Sequence, residues 1–219
     1  MAISRTQISA KVIDYLPIAA NTTIVPEGAI DGAIDVALLW HSRYSPRTCL
    51  TIGTGDGSTS YFDLPSDLMW VKRVESPYGG TPPTYIADWE VHYGTAGYEI
   101  VFETPPGSGD LFGIHYAGKW SLDHADEDDI PLFASLAAAW ICIRQASRMA
   151  QDVSTTINAD TTDYARSVSQ WIRIKEQFIG LYARMVGLSA DYVNSGAPPP
   201  AFRVGALRYD RQFDRWFWA

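Results

Sequence analysis

The side chains able to do chemistry are few and scattered in this sequence. Histidines stand at His41, His92, His115 and His124, and no HExxH, CxxC or His-x-His spacing brings two of them into ligand geometry. Cys49 and Cys142 are far apart and outside any metal-ligand spacing, so both read as buried thiols. The run GTGDGS at 53–58 has the glycines of a phosphate loop but lacks GK[ST]. Strand-like residues follow it where a helix would be needed, so it reads as a turn. No GxSxG elbow accompanies Ser58 or Ser60. Asp88 and Glu90, near His92, fall on one face of a strand, whereas glycoside hydrolysis needs two carboxyl groups across a cleft. The acidic run at 123–129 lacks the glycine and distal glutamate of a calcium loop. Asp128 or Asp129 is instead placed to cap a helix, with Glu127 adding negative charge at its positive end. The expectation is a protein that is not an enzyme, with no catalytic residue, cofactor or metal site.

The whole chain has 219 residues and a formal charge of −8, with 47% hydrophobic and 19% charged residues. This suits one good core, or one core with a sizeable insertion. The acidic balance argues against a chain whose main task is to neutralise a phosphate backbone, so no sequence-specific nucleic acid is expected as a partner. No apolar run approaches the ~18 to 20 residues that span a bilayer. The N-terminal stretch carries Arg5, Lys11 and Asp14 where a secretory signal would be apolar, so neither export nor a membrane partner is expected.

Periodicity divides the sequence into blocks. Ile8, Val12 and Leu16 recur at helical spacing and stop at Pro17, and Ile30, Ile34, Leu38 and His41 do the same after Pro26, which fits two short helices in residues 1–47. Over 48–120 the period becomes strand-like, with candidate strands at 48–52, 59–64, 68–74, 84–92, 98–103 and 111–117. The turns between them are rich in Gly and Pro, as in GTGDGS and SPYGGTPP. Tyr98, Ile100 and Phe102 alternate with Glu99, Val101 and Glu103, as in an antiparallel sheet with one covered side. Over 121–194 the chain is helical again. Phe133, Leu136, Ala137, Trp140, Ile141 and Ala146 make an apolar face on a helix reaching about Asp152. Tyr164, Val168, Trp171, Ile172, Phe178, Leu181, Tyr182 and Met185 keep that period over about 160–187, where Gly187 is placed to end the helix. The predicted class is α+β: a helical bundle built on a long antiparallel helix hairpin, with an antiparallel β-sheet insertion and an extended C-terminal arm at 195–219.

The arm is chemically the most distinctive part. After SGAPPP, Arg203, Arg208, Arg211 and Arg215 face only Asp210 and Asp214, a formal +2, which leaves −10 for residues 1–200. Phe202, Tyr209, Phe213, Trp216, Phe217 and Trp218 lie in the same stretch. A segment this aromatic is costly to leave loose in water. It folds back on its own chain or inserts into a partner, and Trp, Tyr, Phe and Arg are the residues enriched at binding hot spots. The proline-rich hinge favours the partner.

The sequence resembles the head-to-tail adaptor proteins of tailed bacteriophages, also called head completion or connector proteins. The likeness lies in the helices entered through ADEDDIPLFASLAAAWICIRQASRMAQD, in the β insertion opened by TGDGSTSYFDLP, and in the C-terminal arm. The resemblance implies a structural virion protein of the neck, made in the host cytoplasm, that assembles as a dodecameric ring beneath the portal through which DNA passes. It implies the portal protein, neighbouring adaptor subunits and a neck or tail-completion protein as partners. Residues 202–219 would be the portal-binding arm, with Phe202, Arg203, Arg208, Tyr209, Arg211, Phe213, Arg215, Trp216, Phe217 and Trp218 making the contact. The other reading of the residues is a carbohydrate-binding β module of a fibre or baseplate, which would expose coplanar rings such as Trp70, Tyr78, Tyr85 and Trp89.

Overall fold

The computed structural model of the chain describes residues 3–16, 25–26, 28–94, 97–153, 161–195, 207–210 and 215–218. The fold is mixed α and β, and its sheets are antiparallel. The chain divides into two compact units, one of Met1–Ser45 with Trp120–Pro199 and the other of Pro46–Lys119 with Pro200–Ala219.

The first unit is helical. Helix α1 (Arg5–Tyr15) opens on a capping box: the Gln7 amide donates to the Ser4 hydroxyl, and the Ser4 amide donates to the Gln7 side chain at 2.8 Å. Ile8, Val12 and Leu16 are buried as their spacing predicts. Helix α2 (Ala29–Tyr44) buries Ile34, Leu38 and His41. Helix α3 (Ile130–Val153) is flanked by α1, α2 and α4 (Thr161–Met185), and the short α5 (Ala190–Ser195) follows.

The sequence assigns α3 a single apolar face, and here the structure differs. Every residue from 132 to 139 is buried, Ser135 included, because helices cover this stretch on several sides. Its four alanines, Ala134, Ala137, Ala138 and Ala139, let those neighbours approach closely. The Ser135 hydroxyl donates to the Leu132 carbonyl, so it carries no unmet bond into the core. The expectation that nothing is apolar enough to span a bilayer also changes. Within Glu127–Gln151 an 18-residue window reaches a mean hydropathy of 1.3, but 67% of that window is buried inside the fold.

In α4, Trp171, Ile179, Tyr182 and Ala183 are buried, whereas Ile172 and Met185, predicted on the apolar face, are exposed. The side chain of Tyr164 lies outside the described residues. Gly187 ends the helix as predicted, at φ +70°. The Leu188 amide donates to the Ala183 carbonyl at 2.8 Å and the Gly187 amide to that of Arg184, the paired bonds of a Schellman cap. The cap entering α3 is displaced from its predicted place. Asp126, not Asp128 or Asp129, accepts from the Asp128 amide at the 3-10 turn Glu127–Asp129, and Asp129 closes the box by accepting from the Asp126 amide.

The second unit is β. Strands β1 (Arg47–Thr54), β2 (Tyr61–Asp63), β3 (Leu68–Glu75), β4 (Tyr85–Ile86), β5 (Trp89–Tyr93), β6 (Tyr98–Phe102) and β7 (Leu111–Gly118) form two sheets, in the orders β1-β7-β3-β4 and β2-β6-β5. The predicted strand at 84–92 is therefore two. The chain bends at Ala87 and Asp88 and passes from one sheet to the other, and the bend is held by the Trp89 indole donating to the Ile86 carbonyl at 3.1 Å. Val71, Val74, Phe112, Ile114 and Tyr116 of the first sheet share a core with Ile100 and Phe102 of the second. Strand β2 is shorter than predicted because Thr59 is tied into the turn before it.

Near the C-terminus, β8 (Leu207–Asp210) pairs antiparallel with β9 (Arg215–Trp218). Where described, the arm is thus a two-stranded hairpin rather than one extended strand.

Candidate functional site

The four histidines prove to be four separate structures. His41 is buried in a ring of aromatic side chains, with ring centroids 5.1 Å from Trp120 and 5.3 Å from Phe133. Its Nδ1 lies 3.0 Å from the Tyr182 hydroxyl, and burial lowers its pKa to about 4, so the imidazole is neutral. His92 lies beside exposed Glu90 at 3.3 Å on β5. Asp88 is in the bend before that strand, and its carbonyl accepts from the Glu103 amide. His124 meets the Ser121 hydroxyl at 2.7 Å. Among the described residues, no group of three or more His, Cys, Asp or Glu could hold a metal ion.

His115 forms a pair that sequence reasoning did not find. Its Nε2 is 3.3 Å from Oε2 of Glu75, which is buried, and Oε1 of Glu75 accepts from the Gly79 amide at 2.9 Å. The pairing Arg73↔His115 and Glu75↔Gly113 sets these groups side by side on one face of the sheet. The carboxylate anchors the 76–83 turn, whose Tyr78 ring covers Gly113. A β-carbon on Gly113 would come 2.5 Å from that ring, so this position has no room for a side chain. Two strands far apart in sequence supply the pair, and no local spacing could reveal it.

The GTGDGS loop is closed on itself. Asp56 accepts from the amides of Ser58 at 2.8 Å and Thr59 at 2.6 Å and from the Thr59 hydroxyl at 2.6 Å, and these bonds hold its carboxyl well below the usual range. Gly55 and Gly57 donate to the carbonyls of Asp110 and Pro106. The amides of Gly55, Gly57, Ser58 and Thr59 are thus already bonded, and an acidic side chain lies among them. Cys142 is buried as predicted, and burial raises its thiol pKa to about 12, whereas Cys49 is only half-buried.

Trp70, Tyr78 and Trp89 are half-buried, with Tyr78 packed on Gly113. Tyr85 is exposed but carries the Arg73 guanidinium over its ring at 4.5 Å and meets His115 edge-on.

The arm hairpin sets Leu207 opposite Trp218, Arg208 opposite Phe217, Tyr209 opposite Trp216 and Asp210 opposite Arg215. Phe202, Arg203, Arg211 and Phe213 lie outside the described residues. The register brings Arg208, Tyr209, Arg215, Trp216, Phe217 and Trp218 into one small sheet, which the sequence reading did not foresee. Two short runs, LRYD and RWFW, separated by RQFD were the available signal.

The other surface feature is β1. Among the described residues it lies at the end of its sheet and pairs with β7 alone, in unbroken register from Arg47↔Gly118 to Thr54↔Leu111. Leu50 and Ile52 on its outer face are 42% and 50% exposed. A small cleft of about 110 Å³ lined by Val25, Ile141 and Arg144 is too small for a drug-sized ligand.

No protein-family profile matches this chain, and no curated protein matches its sequence.

Proposed function

We propose that this chain is a structural, non-enzymatic protein of a tailed-bacteriophage virion: a head-to-tail adaptor that forms a ring beneath the portal and links it to the neck and tail. In this reading α3 and α4 are the long antiparallel hairpin of the bundle, and the β unit is an insertion between its second and third helices. The C-terminal arm reaches the portal through Arg208, Tyr209, Arg215, Trp216, Phe217 and Trp218 of its hairpin together with Phe202, Arg203, Arg211 and Phe213 of the same segment of sequence.

The carrying observation is the contrast between body and arm. Residues 1–200 carry −10, and the arm carries +2 with six aromatic side chains. A ring around a DNA channel works better if it repels phosphate than if it grips it, and the acidic body supplies that repulsion. The arm supplies the anchoring residues. Subunits in such a ring meet through heterologous contacts that close when the rotation fits.

The test mixes the full-length chain with purified portal rings and images the product by electron microscopy. A ring of this chain seated on the portal is the expected result. A glycan array bound by the intact chain, with no portal complex formed, would replace this reading with the carbohydrate-binding one.

A further inference from the structure

Two features of the β structure are each incomplete. Strand β1 is eight residues long and lies at a sheet edge, yet beyond Arg47 at its start it lacks the devices that protect such edges. It carries no charge and no proline from Thr48 to Thr54, and its pairing with β7 has no bulge, although the β3–β7 pairing has two. Among the described residues, no backbone group bonds to its outer edge. Its outward Leu50 and Ile52 continue onto Leu111 of β7, which is 45% exposed.

Among the described residues, the C-terminal hairpin pairs with no third strand. A sheet of two strands is marginal in water and needs a third strand or an apolar face to persist. Charge then selects between possible occupants. Residues 46–119 hold four Lys and Arg against nine Asp and Glu, a formal −5, so pairing two β1 edges would bring two acidic units together. The arm, at +2, meets attraction.

We propose that β9 of one copy adds as an antiparallel strand to the β1 edge of a neighbouring copy, making the arm a brace between adjacent subunits. Main-chain hydrogen bonds supply the affinity, and Trp216 and Trp218, which alternate onto one face of the added strand, cover Leu50 and Ile52. One edge and one face of the hairpin remain free for the portal. The proposal rests on the ring reading above, since it names the contact between the ring's copies.

The experiment places a photo-crosslinking phenylalanine derivative at Ile52 in the full-length chain and mixes natural-nitrogen and heavy-nitrogen protein in equal parts before irradiation. Mass spectrometry should find position 52 joined to peptides of 207–218, with mixed-label and same-label pairs in equal amounts. Adding Leu50→Lys, a charge at the exposed edge, should abolish those pairs, and high salt should reduce them. Joined peptides of one label only would mean that each arm folds onto its own chain, and joined peptides lacking 207–218 would mean that something else takes the edge. Either result overturns the proposal. Portal binding is read separately: a portal complex without mixed-label pairs sinks only this contact, while mixed-label pairs without a portal complex sink the adaptor reading and leave the contact standing.

Discussion

The Nδ1 atom of His41 and the hydroxyl oxygen of Tyr182 are 3.0 Å apart, although 141 residues separate them in the chain. One lies on α2, before the β unit, and the other on α4, after it. Burial keeps the imidazole neutral, and burial together with Tyr44 raises the phenol above its usual pKa, so one proton is shared between two uncharged partners. The helical core is thus closed by residues from both sides of the insertion. Trp120, the first residue after the insertion, adds to the same site by donating its indole N–H to the Ser45 carbonyl at 2.7 Å.

Tyr182→Phe removes the hydroxyl and strands a polar nitrogen in the core. The expected loss is about 1 to 3 kcal/mol, the desolvation cost of an unsatisfied buried group. Urea unfolding followed by fluorescence measures it, and an unchanged midpoint would mean that water replaces the hydroxyl.

His41 also fixes a pH dependence. Its folded pKa, about 4, is below the unfolded value of 6.5, so the unfolded chain binds the extra proton first as the solution is acidified. The contribution is constant above pH 6.5 and is lost as pH falls from there to about 4, a difference of about 3 kcal/mol. Comparing wild type with His41→Gln across this window isolates it: the variant should lose less stability on acidification.

Gly187→Ala tests the end of α4. The glycine sits at φ +70°, and a β-carbon there would touch nothing within 4 Å, so any cost comes from the backbone alone. A destabilisation of about 1 kcal/mol is expected in thermal or urea unfolding.

Gly187 shows what the sequence makes legible: a glycine after a periodic run, where local chemistry decides the outcome. The same holds for Ile8 and Val12 of α1 and for the alternation of Ile100 and Phe102 in β6. Features made by distant segments were hidden. The all-round burial of α3 depends on how many helices pack on it, which its own alanines do not state. The split of 84–92 between two sheets depends on which strands β4 and β5 pair with. The Glu75–His115 pair depends on the β3–β7 register, and the exposure of Leu50 and Ile52 depends on β1 being outermost. For the arm, composition alone pointed to a binding element, while its pairing of Tyr209 with Trp216 required the fold.

The most direct test of the account is deletion of residues 197–219, followed by thermal unfolding and portal co-assembly on the same preparation. The account predicts a chain that melts cooperatively close to the full-length temperature and no longer joins the portal. A truncated chain that still seats on the portal, or one whose helical core no longer folds, would contradict it.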